Sequence, residues 1–147
     1  MNKGTIFAVI IILLLAGGAF FMLRDKGMTS NVIQQDAPQN ANAQTYTIEM
    51  TSTGYEPQTL TIQKGDTITW INKDTRPNWP ASAVHPSHKT YPGSDIAKCG
   101  TSEENIIFDS CGGIKQGESF SFTFNQQGTW SYHDHLKASL RGTIIVQ

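Results

Sequence analysis

The feature that most constrains the fold of this chain is a period of two. Tyr46, Ile48 and Met50 alternate with Thr47 and Glu49, Leu60 and Ile62 with Thr61 and Gln63, and Phe120, Phe122 and Phe124 with Ser121 and Thr123. Successive side chains on a strand point to opposite faces, so each run has one apolar and one polar face. Glycine-bearing turns separate the runs. Lys64-Gly65-Asp66 leads into Thr67-Ile68-Thr69-Trp70-Ile71, and Gln126-Gln127-Gly128 into Thr129-Trp130-Ser131-Tyr132. The chain closes on Gly142-Thr143-Ile144-Ile145-Val146. No helical periodicity competes with this pattern. It predicts an all-β domain over residues 45–147, a small antiparallel sandwich or barrel, with Trp70, Trp130, Tyr132 and the three phenylalanines in its core. The irregular stretch from Lys73 to Gln116 reads as a loop insertion, and long loops on rigid sheets tend to carry function.

The rest of the chain reads differently. From Thr5 to Leu23 no residue is charged, and the run ends at Arg24-Asp25-Lys26. At about 1.5 Å per residue such a helix spans roughly 28 Å, close to the thickness of a bilayer core. A cleaved signal peptide has a shorter apolar core, and here the run continues through Phe20-Phe21-Met22-Leu23 beyond the small residues. Residues 1–26 are therefore expected to be a membrane anchor, with a signal sequence as the competing reading. Residues 27–44, rich in Gln, Asn, Ala, Ser and Thr, are expected to be a flexible linker. The charge balance of −1 offers no basic footprint for nucleic acid.

Two cysteines, Cys99 and Cys111, enclose a short polar segment behind the expected anchor. That arrangement points to an oxidising compartment and a disulfide, and so to a domain outside the cytoplasm, periplasmic or extracellular. The alternatives are two free thiols or two thiolate metal ligands.

All four histidines fall in two tight clusters, His85-Pro86-Ser87-His88 and His133-Asp134-His135. A neutral imidazole nitrogen is the commonest protein ligand for transition metals. His133 and His135 stand two apart, so an extended segment presents both on one side. Pro86 disfavours helix at His85 and suits a tight turn. If the fold joins the clusters, His85, His88, His133 and His135 form a site for copper, as Cu(II), or for zinc. Asp134 is expected to be a ligand, to orient an imidazole from behind, or to face solvent. Tyr132 is a weaker candidate ligand, and Trp79 either shields the site or simply packs.

The order of segments resembles the cupredoxins, the plastocyanin-like copper proteins. The resemblance runs from Tyr46 to Val146 and rests on Gly54-Tyr55-Glu56-Pro57, Lys64-Gly65-Asp66-Thr67-Ile68-Thr69-Trp70-Ile71-Asn72-Lys73-Asp74, Gly117-Glu118-Ser119-Phe120, Gly128-Thr129-Trp130-Ser131-Tyr132 and the closing strand. It implies a Greek-key β-sandwich or barrel. It also implies a copper site built from a His after the Asn-x-Asp turn and from a Cys, a His and often a Met before the last strand. Here the second His falls on His135, the Cys on Tyr132 and the Met on Leu140. The first His falls near Asn78, or is displaced to His85. Without a thiolate, a blue electron-transfer site is not expected.

The expected function is copper binding or handling by a membrane-tethered, exported domain rather than blue-copper electron transfer. Catalysis is not the leading expectation. The competing readings are a copper-dependent redox enzyme of superoxide dismutase type, a metal-free structural or interaction sandwich, and an electron-transfer cupredoxin with an unusual site. Neither a catalytic arginine nor a substrate pocket is evident in the sequence.

Overall fold

The computed structural model describes residues 42–147. The expected anchor and most of the expected linker lie outside them. Among the described residues, no helix is long and apolar enough to cross a membrane.

Among the described residues eight strands form: β1 (Thr45–Met50), β2 (Tyr55–Glu56), β3 (Thr59–Ile62), β4 (Thr67–Asn72), β5 (Pro80–Ser82), β6 (Ser119–Thr123), β7 (Gly128–Asp134) and β8 (Lys137–Val146). They make two four-stranded sheets, in the orders β2-β1-β4-β6 and β3-β8-β7-β5. Both sheets are mixed. β1 runs parallel to β4 and β3 parallel to β8, while the other pairs are antiparallel. The expectation of an antiparallel sandwich is corrected here. Side-chain alternation reports which face of a strand is apolar, not the direction of its neighbour.

The alternating runs put their apolar faces where expected. Ile48, Met50, Ile62, Ile68, Trp70, Phe124, Tyr132, Ile144 and Val146 form the core between the sheets. Trp70 stacks on Phe108 and Phe120 with ring centroids 5.2 and 5.6 Å apart, and meets Tyr132 edge-on at 5.5 Å. Phe120 and Phe122 are only half-buried, because β6 is an edge strand. On the outer face of that sheet, Thr67 meets Thr123 and Thr69 meets Ser121 through hydroxyl contacts of 2.8 Å.

The stretch from Lys73 to Gln116 is more than a loop. It contributes β5, which pairs with β7, two short 3-10 turns at Ile96–Lys98 and Glu104–Ile106, and the core residues Ala81, Tyr91, Ile107, Phe108 and Ile114. Cys99 and Cys111 are joined in a disulfide across the second half of this stretch, as the sequence led us to expect.

Candidate metal centre

Strand pairing brings the two histidine clusters together. β7 and β8 form a hairpin whose closing turn is His135-Leu136, so His133 and His135 sit at its tip. β5 lies along the other edge of β7, with Ala81 opposite His133. The chain leaving β5 is pinned back onto β7 by Ala83 N–H donating to the Ser131 carbonyl at 3.0 Å. It then turns sharply: His88 N–H donates to the Val84 carbonyl at 2.8 Å, and His88 adopts a left-handed φ of 58°. That turn folds His85 and His88 over the end of the hairpin.

Each of the four imidazoles offers one nitrogen, and these four atoms all lie within 4.8 Å of one another. His88 and His133 are buried, His135 half-buried and His85 exposed. The Nε2 of His133 is buried and meets no hydrogen-bond partner in the protein. Burial without a partner is costly for such an atom, which makes this a group in want of one.

His88 is oriented from behind by a residue that sequence reasoning missed. Asp109 is 2% exposed, and its Oδ2 lies 2.5 Å from His88 Nδ1. Its other oxygen accepts from Trp79 Nε1–H at 2.6 Å and from the Cys111 N–H at 2.8 Å. Burial pushes this carboxyl up, but the hydrogen bonds from His88, Trp79 and Cys111 outweigh it and hold the group below the usual carboxylate range. Asp109 therefore stays ionised, holds the His88 proton on Nδ1, and leaves Nε2 facing the cluster, 2.9 Å from His135 Nδ1. The one sequence signal was the apolar triplet Ile106-Ile107-Phe108 inside a polar stretch. Phe108 anchors in the core and carries Asp109 in with it.

Asp134 faces neither solvent nor the histidines. It is fully buried, and its Oδ1 accepts from the N–H groups of Trp79 at 2.9 Å and Leu136 at 3.0 Å. It lies across β7 from His133, and that side is the interior of the protein. There it fastens the start of β5 to the hairpin tip. Trp79 packs its ring on His135, centroids 4.4 Å apart, so it walls one side of the cluster.

Asn78 and Tyr132, two positions at which the cupredoxin pattern sets ligands, stand apart from the cluster. Asn78 is buried and donates to Asn72 Oδ1 at 3.0 Å. The Tyr132 ring lies in the aromatic core, where burial pushes its phenol well above the ordinary tyrosine range. A neutral, inward phenol is no ligand for this site.

His133 is held down to about 4, first by burial and then by the imidazoles of His88, His85 and His135 and the guanidinium of Arg141. His135 is lowered as well, by burial and then by His88 and His85, against the pull of Asp109 and Asp134. Both rings are thus neutral at pH 7 and ready to donate a lone pair. The arrangement suits a borderline transition-metal cation, since all four donors are imidazole nitrogens. No thiolate is at hand, because both cysteines of the chain are in the disulfide.

Comparison with known proteins identifies the family. A family model for copper binding proteins of the plastocyanin/azurin family matches residues 41–147. The plastocyanin of Scenedesmus fuscus is 30% identical over 95 residues, covering 63% of this chain and 86% of the relative. The plastocyanin of Nostoc punctiforme is 30% identical over 114 residues, covering 74% and 78%. Among solved structures, a purple cupredoxin from Nitrosopumilus maritimus superposes with a TM-score of 0.51 at 23% identity, over 72% of this chain and all of that one.

Proposed function

This chain belongs to the plastocyanin/azurin family of copper-binding proteins, and from that premise we propose that it binds one Cu(II) through His85, His88, His133 and His135. Its role is copper binding and handling by a domain held at the outer face of a membrane. Electron transfer through a thiolate-ligated blue centre is not that role. The observation that carries this reading is the convergence of all four imidazole donors within 4.8 Å. Bound copper supplies a Lewis-acidic, nitrogen-ligated centre. The chain's own residues supply the rest: Asp109 fixes the tautomer of His88, Trp79 shields His135, and Asp134 locks the two loops against each other.

Zinc fits the same donors, so the choice of metal rests on the family. A metal-free sandwich is the weaker reading, because it leaves His133 Nε2 buried without a partner. The test is a titration of the full-length chain with Cu(II), followed by paramagnetic resonance and optical absorption. We expect one copper per chain, a nitrogen-coordinated spectrum, and none of the intense visible absorption that a copper–thiolate bond produces. Stoichiometric zinc with no affinity for copper, or strong thiolate-type absorption, would overturn it.

A further inference from the structure

Beside the histidines, on the outer face of the β3-β8-β7-β5 sheet, a cleft of about 320 Å³ runs up to His85 and His133. Its other walls are Gln58 and Thr59 before and in β3, Ala83 and Val84 in the turn, Ser131 of β7, and Ala138, Arg141 and Thr143 of β8. None of its lining residues is acidic, and Arg141 is the one residue there with a permanent charge. Arg141 is the cross-strand partner of His133, so its guanidinium stands on the same face of the sheet as that imidazole. Its Nε donates to the Ala138 carbonyl at 3.0 Å, which directs the stem along β8 and leaves the terminal nitrogens unclaimed by that bond.

The charge balance of the site is incomplete. Imidazole nitrogens bring no negative charge, so four of them leave a divalent cation's charge uncompensated. Among the residues bonded to the cluster, only Asp109 brings a negative charge, and it reaches the site through His88; Asp134 acts on His135 from the interior, where it pairs with Arg76. A buried or half-buried charge of this kind calls for a counter-ion. The cleft opens onto His85, the one exposed imidazole, and adds a second positive charge from Arg141. One unpartnered polar atom belongs to a residue that lines it, His133 Nε2.

We propose that this cleft binds a small monovalent anion, of the carboxylate or pseudohalide class, which ligates the histidine-bound copper and pairs with Arg141. The inference rests on the copper reading above and goes beyond it: the site is open to an external ligand rather than closed. Cu(II) with four nitrogen donors accepts a further ligand, and a guanidinium is the residue best suited to hold a small oxyanion or pseudohalide beside it.

The experiment uses the full-length chain loaded with one equivalent of Cu(II) and titrated with sodium azide, read by optical absorption and paramagnetic resonance. The expected result is a saturable new charge-transfer band and altered copper hyperfine splitting. Arg141→Ala should still take up one equivalent of Cu(II), but with an azide affinity weaker by about tenfold or more, the usual worth of a charge-assisted hydrogen bond. Ala138→Trp keeps the charge and fills the cleft, and should also weaken azide, which guards against a folding defect in the arginine variant. Copper uptake with no azide response, or equal azide affinity in the wild type and both variants, overturns the cleft alone. Failure to bind copper at all overturns the histidine site, and the cleft proposal falls with it.

Discussion

His88 has one ring nitrogen to offer, because Asp109 holds the other. We predict that Asp109→Ala weakens copper binding by about 10–100-fold, the usual cost of losing a carboxylate behind a ligating histidine. The same change strips partners from Trp79 Nε1–H and the Cys111 N–H, so part of the loss will register as stability. Copper titration alongside denaturant unfolding separates the two, and full copper affinity in a folded Asp109→Ala protein would refute the role. A second prediction concerns protons. His133 is held down to about 4 in the folded protein, against about 6.5 for a free imidazole. Below pH 6.5 the unfolded chain gains a proton that the folded chain resists, so stability of the metal-free protein is full above pH 6.5 and falls as pH drops toward 4. Unfolding in the presence of a chelator across that window checks it, and a flat profile would count against a buried, neutral His133. The histidines were legible from sequence because every one of them falls in two clusters. Asp109 was not, because its part in the site depends on Phe108 anchoring in a core that the sequence of that stretch barely advertises. Asp134 was misplaced for a related reason: alternation put it on the side opposite the histidines, but that side is the interior rather than the solvent.

The hairpin of β7 and β8 depends on one close approach. A Cβ at Gly142 would lie 2.3–2.6 Å from the ring and hydroxyl of Tyr132, its cross-strand partner. Tyr132 is held in place by Tyr55, Trp70 and Phe108. Gly142→Ala should therefore cost about 1–3 kcal/mol, as overpacking does in a tight core, and loosen the hairpin tip that carries His133 and His135. Thermal unfolding measures this, and an unchanged midpoint would mean that the ring can move aside. Residues 129–132 of β7 and 142–146 of β8 were readable as strand, as were β1, β3, β4 and β6; residues 137–141, the first half of β8, were not. β5 was not, since Pro80-Ala81-Ser82 is too short to show alternation and carries a proline at a position reserved for edge strands. Nor was the parallel pairing of β1 with β4 and β3 with β8. Which strands become neighbours is decided by how the whole core closes, and no single run of residues contains that information.

At the scale of the whole molecule the order of turns and strands carried the fold: the resemblance to cupredoxins read from Gly54-Tyr55-Glu56-Pro57 through the final strand agrees with a family match over residues 41–147. The ligand set proposed here departs from the thiolate pattern of that family, and it ties together two segments almost fifty residues apart, His85–His88 and His133–His135. A ligand that requires both segments binds the folded chain and not the unfolded one. Copper should then raise stability by mass action, by about 2.7 kcal/mol when free copper reaches a hundredfold excess over its dissociation constant. The effect should disappear in the His85→Ala, His135→Ala double variant, which removes one donor from each segment while leaving the sandwich core untouched. Unfolding midpoints measured at several free Cu(II) concentrations test this without any assumption about colour or activity. If copper shifts the wild type and the double variant equally, the metal sits elsewhere. If it shifts neither, the four imidazoles converge for a reason other than copper.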